Sequence, residues 1–278
     1  MKEDTTNGRD DAAEIIRLLV CSDLRRNLVL TLHNGAASLS DLRQHVGVSS
    51  TAAIHALREL ERDHVTSQDG RRHYALTNIG KILALKLESL TKAANVLTEH
   101  NAFWLEHDLS GIPATHLADV GCLEESYILT STSTDLFKVY STFTTLVENA
   151  KEIKGISSIL IPDMINVFST LGPKAQPVEL IVTSDVFDKM RELVDRQELR
   201  RALEEGNLRL FSLKENPKIG LTVTDYFLSL GLFRGDGMYD YSHDLLSYSA
   251  QAIEWGTRLF DHYAAASEEV SASEISGD

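Results

Sequence analysis

The sequence predicts an α+β/α/β two-domain chain: an N-terminal winged helix-turn-helix, a long linker helix and a C-terminal α/β domain. Three observations predict it. Residues 38–77 read as helix, tight turn, helix and then a hairpin with a basic tip. After Thr77, apolar residues recur every three or four positions over more than twenty residues. Beyond residue 111, short apolar runs alternate with helix-length amphipathic segments, the pattern of strands and helices wound together. The expected limits are 11–80 for the helix-turn-helix domain, 77–110 for the linker helix and 111–266 for the α/β domain. The polar ends, 1–10 and 267–278, are expected to be disordered.

The first helix is expected over 11–20, with Ile15, Ile16, Leu18 and Leu19 as its apolar side. Ser22-Asp23 caps a second helix over 24–33, which Asn34-Gly35 ends. A short helix over 38–45 follows, and Gly47 supplies the left-handed backbone that stops it. Ser49-Ser50-Thr51 caps the next helix, which runs to about Asp63. Residues 65–67 and 71–76 are strands joined through Asp69-Gly70, a strong hairpin signal. Thr77 then caps a helix reaching about Trp104, with Ile79, Leu83, Leu87, Leu90, Ala94 and Leu97 on one face. That face suits either packing within the chain or a short dimer seam.

In the second half, helices are expected over 136–151, 163–171, 184–205 and 250–265. Strands are expected over 156–161, 178–182, 208–213, 219–223 and 227–233. The alternation implies a largely parallel sheet.

Composition narrows the function classes. The 278 residues carry a formal net charge of −14. Residues 1–100 hold 13 basic and 13 acidic side chains, whereas 101–278 hold 14 and 28. The helix-turn-helix half is therefore neutral, and all the excess acid sits in its companion. This excludes a protein that coats nucleic acid by charge alone. Two isolated cysteines, Cys21 and Cys122, fit neither a disulfide framework nor a zinc site, so no metal or cofactor is expected. The first residues have no apolar signal core and no run reaches membrane-span length, which makes a cytoplasmic protein the expectation, with no membrane partner.

The partner expected from the layout is double-stranded DNA. On the helix after the turn, Ala53, Ile54, Leu57 and Leu60 face the core, while Thr51, His55, Arg58 and Arg62 line the opposite face. Ser49, Ser50 and Thr51 stand at its N-terminus, where hydroxyls and free N–H groups suit a phosphate or a base edge. Arg58 has the geometry to pair with guanine. Arg71, Arg72 and His73 at the hairpin tip suit a minor-groove or phosphate contact. The plainer readings are a solvated helix face, with Arg58 and Arg62 paired to Glu59 or Glu61, and a solubilising turn. Arg25 and Arg26 are further candidate phosphate contacts.

The strings at 21–28, 48–60 and 76–81 resemble archaeal winged-helix regulators of methanogens, a family carrying a methanogenesis-regulatory Fil-type middle domain. Phe103-Trp104-Leu105 through Pro113, Asn149 through Gly155 and Thr222 through Phe233 resemble the same family, and the likeness extends over about 12–265. It implies an archaeal transcription regulator controlling methanogenesis or methyl-substrate genes, with a C-terminal effector-sensing or dimerisation domain. One string departs from the family pattern: Asp63-His64-Val65 stands where a Gly-Leu-Val type sequence is usual.

The second half is also similar to the ligand-binding domains of archaeal sugar regulators, which have phospholipase-D-like architecture. The His-x-Lys of an active phospholipase-D site is absent, as are phosphate-cradling glycine loops, a Gly-x-Ser-x-Gly elbow and His-Glu-x-x-His. No catalytic residues are assigned. A small-molecule effector is a candidate partner. In a parallel sheet it would sit off the carboxyl ends of the strands, where Asp163, Asp185 and Asp225 would converge. Tyr239, Tyr241 and His243, with Asp240 and Asp244, add a polar-aromatic cluster. A homodimer is expected because one winged helix reads few base pairs. Two alternatives stay open: a winged helix that binds protein, and an enzyme acting on a small polar substrate.

Overall fold

The computed structural model describes residues 4–160 and 178–276. The chain folds as two compact units, 1–91 and 92–278.

The first unit is a helical cluster closed by a small sheet. Helix α1 spans Asp4–Val20, so it begins within the N-terminal stretch expected to be disordered. Helix α2, Asp23–His33, opens on Ser22, whose hydroxyl accepts from the Arg25 amide. Helix α3, Leu39–Val46, has a capping box: Ser38 and Asp41 satisfy each other's backbone N–H groups. Gly47 ends it at φ 72. Helix α4, Ser50–Arg62, is capped by Ser49. Leu28, Leu42, Leu57 and Leu60, one or more from each of α2, α3 and α4, are fully buried together. Strands β2 (Thr66–Gln68) and β3 (His73–Leu76) form the expected hairpin. A two-residue strand, β1 (Ala37–Ser38), adds to β3, beyond what the sequence pattern suggests. His64, between α4 and β2, takes a left-handed φ of 57. This is the conformation glycine adopts at least cost, and a histidine holds it here.

Helix α5 spans Asn78–Glu99 and stops short of the expected end near Trp104. His100 interrupts it: the ring is buried and its Nε2 lies 3.0 Å from the Ser126 carbonyl. The chain resumes as α6, Asn101–Glu106, and then as the short α7, Ala114–Ala118.

The second unit is built on an eight-stranded sheet. Its strands are β4 (Ser126–Thr130), β5 (Ile153–Ser157), β6 (Val178–Thr183), β7 (Leu208–Leu213), β8 (Ile219–Thr224), β9 (Leu228–Leu232), β10 (His243–Ser247) and β11 (Glu268–Glu269). Their order is β11-β7-β6-β5-β8-β9-β10-β4. Among these strands only β5–β6–β7 is parallel; the remaining pairings are antiparallel. The expectation of a largely parallel sheet is thus corrected. The additional strands β4, β10 and β11 all pair antiparallel, and the β8–β9 connection is a hairpin.

Helices cover both faces. Helix α8 (Lys138–Glu148), α9 (Ser184–Leu193) and α10 (Arg196–Glu204) contribute Val147, Val186, Met190 and Leu199 to the core on one face. Helix α11 (Ala250–Ala264) packs Trp255, Leu259 and Phe260 with Phe103 and Trp104 against the other. The single helix expected over 184–205 is two, because Val194 turns extended and Asp195 caps a new start. The C-terminal stretch expected to be loose is docked instead. Val270 and Ile275 are buried in the α8-side core, and Val270 N donates to the Leu210 carbonyl. Two apolar anchors outweigh a Ser/Glu-rich composition. The helix expected over 163–171 lies outside the described residues.

Candidate DNA-facing surface and candidate ligand cavity

Helix α4 sorts its side chains by period. Ala53, Ala56, Leu57 and Leu60 point into the core, while Ser49, Ser50, Thr51, His55, Arg58 and Arg62 are exposed. Arg58 has no ion-pair partner among the described residues. Arg62 is paired with Asp63 at 3.2 Å, and its guanidinium is held more firmly protonated by that hydrogen bond. Glu59, the expected neutraliser, is taken by Arg25 at 2.7 Å. That engages the Arg25 guanidinium and draws Glu59 away from Arg58. His55 lies 3.7 Å from Glu59. Arg26 pairs with Asp23.

The hairpin tip is organised by one carboxylate. Asp69 Oδ1 accepts from the Arg71 and His73 amides, each at 2.8 Å. Arg72 takes a left-handed φ of 62, which turns the tip, and both arginine side chains are exposed. His73 is half-buried.

In the second unit the three carboxylates expected at one site are separated. Because β8 runs antiparallel to β5, Thr224 lies opposite Ile153, at the start of β5. Asp225 therefore sits at the opposite end of the strands from Asp185, which follows the end of β6. Asp225 accepts from the Lys151 amide at 2.9 Å, and Asp185 occupies the first turn of α9. Asp163 lies outside the described residues.

The unit instead contains a cavity of about 610 Å³ on the α8 side of the sheet. Its floor comes from sequence alternation. In β5, β8 and β9, large apolar residues face α11, while Gly155, Ser157, Gly220, Thr222, Ser229 and Gly231 face the other way. Register lines these up as Ser157–Gly220–Gly231 and Gly155–Thr222–Ser229. Two rows of small side chains leave a hollow that Val139, Tyr140 and Phe143 of α8 wall off. The Tyr239 ring lies against Gly220 and Gly231, and a β-carbon at Gly231 would overlap its hydroxyl.

Tyr239 and Tyr241 both line the cavity, and their rings meet edge-on at 5.0 Å. Asp240 between them is an anchor. It binds Arg234 at 3.1 Å, His243 Nδ1 at 2.9 Å, His107 Nε2 at 3.2 Å and the Ser242 hydroxyl at 2.5 Å. Burial alone pushes its carboxyl up, but the hydrogen bonds from Ser242, His243 and Arg234 win and hold it well below the usual range. His243 belongs to this anchor and does not line the cavity. Asp244 does line it and is buried. Burial pushes its carboxyl up to about 7, against the opposing pull of the Ser229 hydroxyl. Its Oδ1 has no hydrogen-bond partner among the described residues. The alternation of small with large residues in 153–157, 219–224 and 228–232 is the sequence signal for this hollow.

These features define a two-unit protein, with an exposed polar helix face on one unit and an aromatic-walled cavity in the other. Two family models match it: the N-terminal domain of the methanogenesis regulatory protein FilR1 over residues 13–95, and its middle domain over 136–266. The chain belongs to this family. A methanogenesis regulatory protein FilR1 from Methanothrix harundinacea (strain 6Ac) is 30% identical over 268 residues, covering 95% of this chain and 60% of the relative. The chain thus spans about three fifths of that relative's length. Among solved structures, TrmBL2, described as an archaeal chromatin protein, aligns over 94% of this chain and 100% of its own at 15% identity, TM-score 0.40. Nuc, a phospholipase D family member from Salmonella typhimurium, aligns over 52% of this chain and 97% of its own at 10% identity, TM-score 0.37. No helix among the described residues is long and apolar enough to cross a membrane.

Proposed function

We propose that the chain is a DNA-binding transcription regulator of an archaeon, acting in the cytoplasm on methanogenesis or methyl-substrate genes. In this reading 11–80 is a winged helix-turn-helix, with α4 as the recognition helix and the β2–β3 hairpin as the wing. The observation that carries it is the exposed face of α4. Ser49, Ser50, Thr51, His55, Arg58 and Arg62 form a continuous polar row, and Arg58 has no ion-pair partner among the described residues, Glu59 being bound by Arg25. Such a row enters a major groove, with Arg71, Arg72 and His73 reaching the flanking backbone. Net neutrality of the first hundred residues keeps non-specific binding weak, so contacts to bases carry selection.

The reader works as a homodimer. Helix α5 presents Ile79, Ile82, Leu90 and Leu97 along one stripe, all at least 41% exposed. That is the spacing of a helix–helix seam. A second copy would cover the stripe and place two recognition helices on one duplex. The second unit, with its phospholipase-D-like sheet, holds an effector in the cavity on the α8 face and biases the dimer between binding states.

The test is fluorescence anisotropy with duplexes taken from upstream of the chain's own gene and its neighbours, over a salt series. Binding that prefers one duplex and weakens steeply with salt supports the regulator reading. Salt-insensitive capture of protein partners without duplex preference would replace it with an interaction module.

A further inference from the structure

We propose that the cavity on the α8 face binds an organic ammonium ion with an apolar body. This deepens the effector reading above and rests on it only in treating the cavity as the regulatory site.

Among the described residues, the charges lining the cavity are Asp240 and Asp244 alone, with no Lys, Arg or His. Asp240 is satisfied by Arg234, His243 and Ser242. Asp244 is not: Ser229 occupies Oδ2, and Oδ1 is buried with no partner among those residues. A buried polar atom without a partner is costly, and a buried ionised carboxylate without a countercharge more so. A ligand that supplies the missing N–H donor and positive charge recovers both. Among the described residues an anion would meet two acids and no base. A purely apolar ligand would leave Oδ1 as it is.

The walls favour the same class. Phe137, Tyr140, Phe143, Tyr239 and Tyr241 surround the space. Their ring faces attract a cation and also accommodate a hydrocarbon chain. A cavity of about 610 Å³ is large for a bare ammonium ion and suits one attached to several carbons.

The experiment is calorimetric titration of the full chain with n-hexylamine, 1-hexanol and hexanoate at pH 8, and of the Asp244→Asn variant with the same three. The expected result is hexylamine at least about tenfold tighter than hexanol, with no hexanoate binding. Lengthening the amine from butyl to hexyl tightens it by about fourfold per methylene. Asp244→Asn, nearly the same shape, keeps hexanol binding and loses the preference for the amine. Retained hexanol binding shows that the variant's cavity is intact. Equal affinity for amine and alcohol, an unchanged preference in the variant, or no binding of hexylamine would each overturn the proposal. These titrations need no DNA, so failure of the regulator reading leaves them standing.

Discussion

Ser229 and Asp244 stand on neighbouring strands, and the serine hydroxyl donates a 2.5 Å hydrogen bond to one carboxylate oxygen while the other has no partner among the described residues. The arrangement makes Asp244 a buried carboxyl with one oxygen unpaired among the described residues. Its carboxyl is raised from 3.8 to about 7, so between those values the folded chain binds a proton that the unfolded chain has released. Stability therefore falls as pH rises from about 4 to about 7, by roughly 1 kcal/mol per pH unit. Asp240, held low, acts in the opposite sense only near pH 4, where the unfolded chain's carboxyl titrates, and the Tyr239 phenol, pushed up by burial, stays neutral throughout. Urea unfolding from pH 4 to 8 will show the slope in the parent and a flatter profile in Asp244→Asn. The variant will be the more stable of the two at pH 8.

Gly231 is the floor beneath the Tyr239 hydroxyl. Gly231→Ala forces the ring outward from a packed strand and costs about 1–3 kcal/mol. The expected signature is a lowered urea midpoint together with weaker binding of any cavity ligand. An alanine tolerated with unchanged stability would mean that the ring has another place to go.

His64 holds a left-handed backbone that an L side chain adopts at a cost. His64→Gly should stabilise the first unit by about 0.5–1 kcal/mol, the relief of strain being partly offset by greater freedom in the unfolded chain. Thermal unfolding of the single variant measures it, and a loss of stability would show that the histidine ring contributes packing instead.

The exposed stripe on α5 predicts a dimer that charge will split. Ile82→Glu, at a residue 63% exposed, should leave the fold intact and shift sedimentation from dimer to monomer. Operator affinity should fall with it, because two half-sites are then bound independently. A parent chain that sediments as a monomer at micromolar concentration would rule out this seam.

Much of the first unit is legible in the sequence because its signals are local. Ser22, Ser38 and Ser49 cap helices, Gly47 ends one, and Asp69-Gly70 turns the hairpin. Strand β1 escapes because two residues carry no period. The sheet of the second unit is legible in part. Runs such as 178–182 and 208–213 announce buried strands, but whether neighbours run parallel is decided by long-range pairing that no local pattern encodes. Taking the sheet as parallel places the ligand site at the strand ends and groups Asp185 with Asp225; the antiparallel β5–β8 pairing undoes both. Tyr239 and Tyr241 stand out by composition. Asp244 shows only as part of a cluster, since its burial depends on distant strands arriving together. The end of the long helix is hidden because nothing at His100 breaks the apolar repeat; a buried ring bonded to the Ser126 carbonyl does.

Whether the free face of α4 reads DNA turns on Arg58. Anisotropy titrations of the parent and of Arg58→Ala, on one preferred duplex and on copies with single base pairs changed, would be compared at one salt concentration. Arg58→Ala is expected to lose about 1–3 kcal/mol on the preferred duplex and to become indifferent to one base position. Arg72→Ala should instead weaken all duplexes evenly and lower the salt slope by about one. Unchanged affinity and unchanged base preference in Arg58→Ala would contradict the assignment of α4 as the reading helix.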